Sequence, residues 1–306
     1  MNTKPASTLS RRVLIGGLVA GTVAPPAFAR HAPNKLAKAH SALKEIETST
    51  GGRLGVAALD AGDTLAIGYN ADQRFPMCST FKFLAVAATL KRVDDKADRL
   101  DRVVNYGEAD LLDYAPIAKQ HVGDGGMILS AICAAAIEYS DNTAANLLLR
   151  EMGGPTALTR FIRSLGDPVT RLDRNEPTLN EAKRGDPRDT TSPSAMLADM
   201  RRILLGDALL SASRTQIDAW LAGNTTGAKR LRAGLPPDWQ VGDKTGTGNG
   251  AFGDIAIIRP PGRQPILATV YLAETKLSAA ERDKPFADVG QVIAELYRYT
   301  AGNRPI

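Results

Sequence analysis

The segment Pro76-Met77-Cys78-Ser79-Thr80-Phe81-Lys82 sets a serine at a helix start and a lysine one turn later on the same face. A hydroxyl is a poor nucleophile until a base takes its proton, and a lysine amine that has lost its own proton can do this. The helix N-terminus favours negative charge developing on Ser79. Alone, Ser-x-x-Lys arises by chance about once in a chain of this length, and a capped helix with a surface lysine explains it equally well. A second group, Tyr139-Ser140-Asp141-Asn142, offers Ser140 to protonate a departing nitrogen and Asn142 to hold an amide. The same residues also suit a plain helix cap. A third, Lys244-Thr245-Gly246-Thr247, supplies a cation and hydroxyls for a carboxylate, with Gly246 letting a ligand approach the strand closely. Its plainer account is a lysine guarding a strand edge.

Other hydrolytic chemistries find no residues. Three histidines (His31, His40, His121) and two cysteines (Cys78, Cys133) show no metal-ligand spacing, so neither a metal nor another cofactor is expected. No Gly-x-Ser-x-Gly elbow occurs. With 306 residues, 43% hydrophobic and 23% charged, the composition is that of an ordinary globular protein.

Residues 1–29 combine Ser10-Arg11-Arg12-Val13-Leu14, an apolar run from Val13 to Ala24 and a small-residue site, Ala27-Phe28-Ala29. This is read as an export signal similar to the twin-arginine type, which carries folded cargo across a bacterial inner membrane. The run is shorter than the roughly 20 apolar residues of a span, so a soluble periplasmic or secreted mature chain is expected, with no membrane attachment. The signal holds three of the 38 basic residues and no acidic one, which leaves 35 against 33, a net charge near +2. No basic stripe interleaved with aromatics is present, which argues against nucleic acid as a partner.

The elements that must position these groups follow from periodicity. Leu36, Ala39, Leu43 and Ile46 predict an amphipathic helix over 34–48, and apolar runs at 54–59 and 64–69 predict a hairpin. From Ser79 to about Ala222 the chain is rich in Ala and Leu and reads as helical. Strands return at 240–245, 252–259 and 265–273, and a helix is predicted over 288–299. The expected fold is a two-lobed α+β arrangement: an antiparallel sheet flanked by the N- and C-terminal helices, and an all-α lobe. The lobes are placed at 30–78 with 226–306, and at 79–225, with the cleft between them. The long polar stretch Arg171 to Ser192 reads as a functional loop.

The three motifs, in this order and on these elements, resemble those of class A serine β-lactamases and penicillin-binding proteins. The resemblance runs from about Asn34 to the C-terminus. Within it, Arg171-Leu172-Asp173-Arg174-Asn175-Glu176-Pro177-Thr178-Leu179-Asn180 is similar to the class A Ω-loop, here 171–189, which penicillin-binding proteins lack. The resemblance implies hydrolysis of penicillin- and cephalosporin-type antibiotics, and hence resistance, through an acyl-enzyme on Ser79. Lys82 or Glu176 would take the serine proton, Ser140 would protonate the leaving nitrogen, and Glu176 with Asn180 would hold the deacylating water. It further implies an oxyanion hole from the backbone N–H groups of Ser79 and Thr247, and a substrate carboxylate on Lys244, Thr245 and Thr247. Tyr114 is either a cleft wall or ordinary packing. An Arg174–Asp189 ion pair would close the loop neck, and the Glu176–Pro177 bond would be cis. A small-molecule β-lactam is the implied partner, and a monomer is expected.

Some departures matter. Family members that pair a cysteine at the Cys78 position have their second cysteine where this chain has Gly248, and those that pair the Cys133 position do so where it has Val86, so two free buried thiols are expected. The connection 248–254 is short and its strand lacks an arginine until Arg259, so the carboxylate role passes to Arg230, although an exposed arginine among Lys229 and Arg232 would look the same. Two rivals stand: a D-alanyl-D-alanine peptidase or transpeptidase, against which Glu176 and Asn180 speak, and a membrane-tethered β-lactam sensor.

Overall fold

The computed structural model describes residues 1–2, 28–62 and 65–298, so residues 3–27 of the expected signal lie outside the described residues. Helix α1 (Phe28–Thr50) begins earlier than the periodicity from Asn34 predicts. The hairpin is β1 (Arg53–Asp60) and β2 (Ala66–Tyr69). Strand β3 (Phe75–Pro76) runs into a 3₁₀ turn at Cys78–Thr80 and helix α2 (Phe81–Asp94). Next come β4 (Val103–Val104), β5 (Met127–Ile128), α3 (Leu129–Glu138), α4 (Asn142–Met152) and α5 (Pro155–Ser164). The polar loop ends in β6 (Thr190–Thr191), followed by α6 (Pro193–Leu204), α7 (Ser211–Ala222) and the short α8 (Leu231–Gly234). A meander of β7 (Gln240–Gly248), β8 (Ala251–Arg259) and β9 (Ile266–Ala273) leads to α9 (Lys284–Arg298).

The chain's two ends meet in one antiparallel sheet, ordered β2-β1-β9-β8-β7, with Leu54 opposite Leu272 and Val56 opposite Val270. Its side chains alternate between two cores, as a strand's two-residue period requires. Ile255, Ile257, Leu267 and Tyr271 face the helical section, whereas Ala256, Ile258, Ala268 and Val270 face α1 and α9. Helix α9 presents Phe286, Val289, Ile293 and Tyr297 at helical spacing to that second core, opposite Ala39 and Leu43 of α1. Fully burying a side chain of this size is worth about 1.5–3 kcal/mol.

Helix α2 is buried from Phe81 to Leu90 on every face, which makes it the axis of the helical section. Its single interior charge is Lys82. Two short ladders interrupt the stretch read as helical: Val103-Val104 pairs with Met127-Ile128, and Phe75-Pro76 pairs with Thr190-Thr191. Two residues are too few for alternation to announce a strand. The second ladder ties the exit of the polar loop to the chain just before Ser79.

Candidate active site

Ser79 lies in the 3₁₀ turn ahead of α2, and Lys82 in the first turn of that helix, as their spacing predicts. Ser79 Oγ donates to Glu176 Oε1 at 3.3 Å, and Lys82 Nζ sits 3.2 Å from the same oxygen. The ammonium also donates to Asn142 Oδ1 (2.6 Å) and the Ser140 carbonyl (2.7 Å). Burial lowers the Lys82 pKa, while the Glu176 charge opposes the fall. An amine placed so gives up its proton more readily than in water.

Asp141 caps α4: Oδ1 accepts from Ala144 N and Oδ2 from Ile117 N and Ala118 N, each at 2.9 Å. The capping account of this segment is therefore correct, and the cap fixes the backbone at Ser140 and Asn142 on either side. Ser140 takes a left-handed φ of +57°, uncommon for a residue with a Cβ. Its Oγ accepts from Lys244 Nζ at 3.0 Å and Lys82 Nζ at 3.5 Å, so one hydroxyl bridges two buried amines. Burial, then the charge of Lys82, push Lys244 well below its ordinary pKa, with Asp243 opposing.

The polar loop brings Glu176 inward, 4% exposed. Glu176 Oε2 accepts from Asn180 Nδ2 at 2.5 Å, and Asn180 Oδ1 is buried without a protein partner. The Glu176–Pro177 peptide is cis. At the neck, Arg174 Nε donates to Asp189 Oδ2 at 2.6 Å, with Asp189 buried. Asn146 carries no motif signal, yet its amide donates to the Glu176 carbonyl and accepts from the Glu176 N–H, both at 2.9 Å. It lies one turn beyond Asn142 on α4, a spacing that puts both side chains on one face.

On β7, Thr245 and Thr247 line a cavity of about 360 Å³ with Ser79, Tyr114, Ser140 and Asn142. Tyr114 is half exposed there, a wall of the cleft and not interior packing. Gly246 serves a different purpose from ligand clearance: a Cβ on it would come within 2.7 Å of the Met77 carbonyl. The missing side chain lets the turn that carries Ser79 pack on β7. Arg230 is 3% exposed, not a surface residue among Lys229 and Arg232. It donates to the carbonyls of Gly246 (2.8 Å) and Gly253 (2.6 Å), to Thr247 Oγ1 (2.8 Å) and, through Nε, to Asp283 (2.9 Å). Thr226, which no motif marked, shares a 2.5 Å hydroxyl contact with Thr245.

The model of the β-lactamase enzyme family matches residues 38–297. The chain belongs to that family, in class A. The β-lactamases CTX-M-8 of Citrobacter amalonaticus and Toho-1 of Escherichia coli are 46% identical over 256 residues and 47% over 252. These matches cover 83% and 82% of this chain, and 88% and 86% of the relatives. Among solved structures, an ancestral (GNCA) class A β-lactamase is 58% identical with TM-score 0.83, covering 85% of this chain and 100% of that one. A β-lactamase from Xanthomonas campestris is 48% identical with TM-score 0.83, covering 86% and 98%.

Both cysteines of this class A β-lactamase are free and buried. Burial pushes the Cys78 thiol up to about 12 and raises Cys133 as well, so neither forms the reactive thiolate at neutral pH. Cys78 Sγ lies 2.7 Å from where a Cβ on Gly248 would stand, within the reach of a disulfide. Gly248→Cys, refolded in air, is therefore expected to show one titratable thiol when unfolded without reductant, against two in the parent. Three thiols in the variant would show that the geometry does not close.

Proposed function

We propose that this β-lactamase opens the lactam ring through an acyl-enzyme on Ser79 and clears it with a water activated by Glu176. One observation carries the reading: a buried carboxylate oxygen lies within hydrogen-bond reach of both Ser79 Oγ (3.3 Å) and Lys82 Nζ (3.2 Å). The serine proton passes into this Glu176–Lys82 pair as Oγ attacks the lactam carbonyl. Backbone N–H groups of Ser79 and Thr247 receive the oxyanion, charge that exists only in the transition state. Ser140, supported by Lys82 and Lys244, protonates the leaving nitrogen. Lys244, Thr245, Thr247 and Arg230 bind the substrate carboxylate, Asn142 holds the amide side chain, and Tyr114 bounds the cleft. Deacylation uses Glu176 as base, with the free acceptor on Asn180 orienting the water. Export by the twin-arginine route belongs to the same reading; among the described residues, no helix is long and apolar enough to cross a membrane.

Mixing the protein with a chromogenic cephalosporin is expected to give continuous turnover, and Ser79→Ala to give neither turnover nor an added mass. Acylation followed by arrest in the wild type would favour a peptidase or a sensor.

A further inference from the structure

Asp199, on α6, is a buried carboxyl that the mechanism above does not use. It is 1% exposed, and its Oδ2 has no hydrogen-bond partner. Asp167, 5% exposed, lies within hydrogen-bond reach of it. The two carboxyls differ in their supply of donors. Asp167 Oδ1 accepts from Val169 N (2.5 Å) and Thr170 N (3.0 Å), and Oδ2 from Thr170 N (3.2 Å). These N–H groups supply the Asp167 carboxyl with donors, whereas Asp199 Oδ2, beside it, has none from the protein.

We propose that Asp199 is a positioning residue for the reaction: its protonated carboxyl donates to Asp167 and pins the entry of loop 171–189 to α6. The proposal rests on the reading that Glu176, carried by this loop, activates the deacylating water. The segment being pinned is where the loop's two ends meet. Arg163 Nη1 binds the carbonyls of Asp167 (2.5 Å) and Thr170 (2.6 Å). Thr170 and Thr191 share a 2.6 Å hydroxyl contact, and Arg171 N donates to the Thr190 carbonyl at 3.0 Å. Arg74 joins both ends, binding the Val169 carbonyl and Thr190 Oγ1.

The charged and titratable groups around the pair are Arg163 from α5, Arg202 from α6, Arg74 and Asp72 from the segment after β2, and Tyr271 from β9. Burial, then Asp167, raise the Asp199 pKa to about 9, and Arg202 and Arg163 offset only part of this. A cavity of about 240 Å³ bordered by Gly166, Asp167, Pro168, Ser194 and Asp199 gives the proton a path to solvent. Above that pH the clasp becomes two adjacent carboxylates that repel, and the loop entry loosens.

The test compares wild type, Asp199→Ala and Asp199→Asn between pH 6 and 10. Acylation and deacylation rates are measured separately, with amide hydrogen exchange over residues 171–189. At pH 7, Asp199→Ala is expected to slow deacylation about 10-fold through misplacement of Glu176, with acylation changed far less and loop exchange faster. Asp199→Asn, whose amide donates as the protonated carboxyl does, is expected to recover the deacylation that alanine loses. It should also keep that rate above pH 9, where the wild type falls. Superimposable alkaline limbs for wild type and the asparagine variant would overturn the proposal, as would wild-type loop exchange in the alanine variant. If alanine prevents folding, the asparagine pH profile decides alone. Failure of the Glu176 reading looks different: Glu176→Ala would deacylate normally while loop exchange still responded to Asp199→Ala.

Discussion

Glu176→Ala is expected to trap the β-lactamase as a stable covalent adduct, one substrate mass heavier, after a single turnover. In the mechanism proposed above, the two steps draw on different groups. Acylation needs a proton acceptor for Ser79 and a donor for the ring nitrogen, and Lys82, Lys244 and Ser140 remain for both. Removing Glu176 also removes the neighbouring charge that opposes the lowering of the Lys82 pKa, so the amine becomes neutral more often and a better acceptor. In the proposed mechanism deacylation has no such reserve, because its water is deprotonated from the side where Glu176 and Asn180 stand. Loss of a positioned general base costs about 10²–10⁴ in rate, or about 3–5 kcal/mol of barrier. Intact-mass measurement after mixing with a penicillin should show the adduct persisting in the variant and transient in the wild type. Glu176→Gln separates chemistry from folding, since it preserves the shape and a contact to Asn180 while abolishing the base. Both variants should accumulate adduct, and steady turnover in either would remove Glu176 from the deacylation step.

The residues that carry this argument were legible because chemistry demands fixed types at short spacing: Ser79 with Lys82, Ser140 with Asn142, Glu176 with Asn180. The sheet was legible too, since short apolar runs bounded by turn residues mark a hairpin and a meander, and strands buried on both faces read as such runs. Other features depend on contacts between distant segments, and no local pattern reports those. Asn146 looks like an ordinary mid-helix asparagine until the polar loop supplies the backbone it binds. Gly246 invites a ligand-clearance reading, but the atom that needs the space is a carbonyl of the segment before Ser79. Asp199 hides on the same face of α6 as Met196, Met200 and Ile203, and its burial follows only from the packing around it. The left-handed backbone at Cys78 and Ser140 is likewise invisible in the residue types. Tertiary contacts on both sides of each residue impose it.

Asp189→Ala is expected to destabilise the enzyme by about 3–5 kcal/mol and to slow deacylation more than acylation. Asp189 is 1% exposed and accepts from three donors: the N–H groups of Asp173 (2.7 Å) and Arg174 (2.9 Å), and Arg174 Nε (2.6 Å). Alanine leaves two backbone N–H groups and a guanidinium without their acceptor, each a desolvation cost with nothing in return. Arg174 keeps its contact with Glu181 on the exposed side, which draws the loss toward the lower end of the range. The backbone adds to it, because Asp189 has a φ of +58°, a region that aspartate and asparagine tolerate better than alanine. Asp189→Asn keeps a carbonyl acceptor for the two N–H groups and the backbone preference, but gives up the charge and sets an amide N–H where Arg174 Nε needs an acceptor, so about half the loss is expected. The kinetic effect follows from position. The Asp189 carbonyl accepts from Met77 N at 2.9 Å, two residues before Ser79, so the same residue holds the loop neck and the turn that carries Ser79. Ser79 is also anchored by α2, whereas Glu176 depends on the loop, and the loop should therefore lose its register first. Urea unfolding of the three proteins, with deacylation followed by intact mass, checks both parts. A loss below about 1 kcal/mol for the alanine variant would mean that the pair is worth no more than a surface ion pair and that other contacts hold the neck.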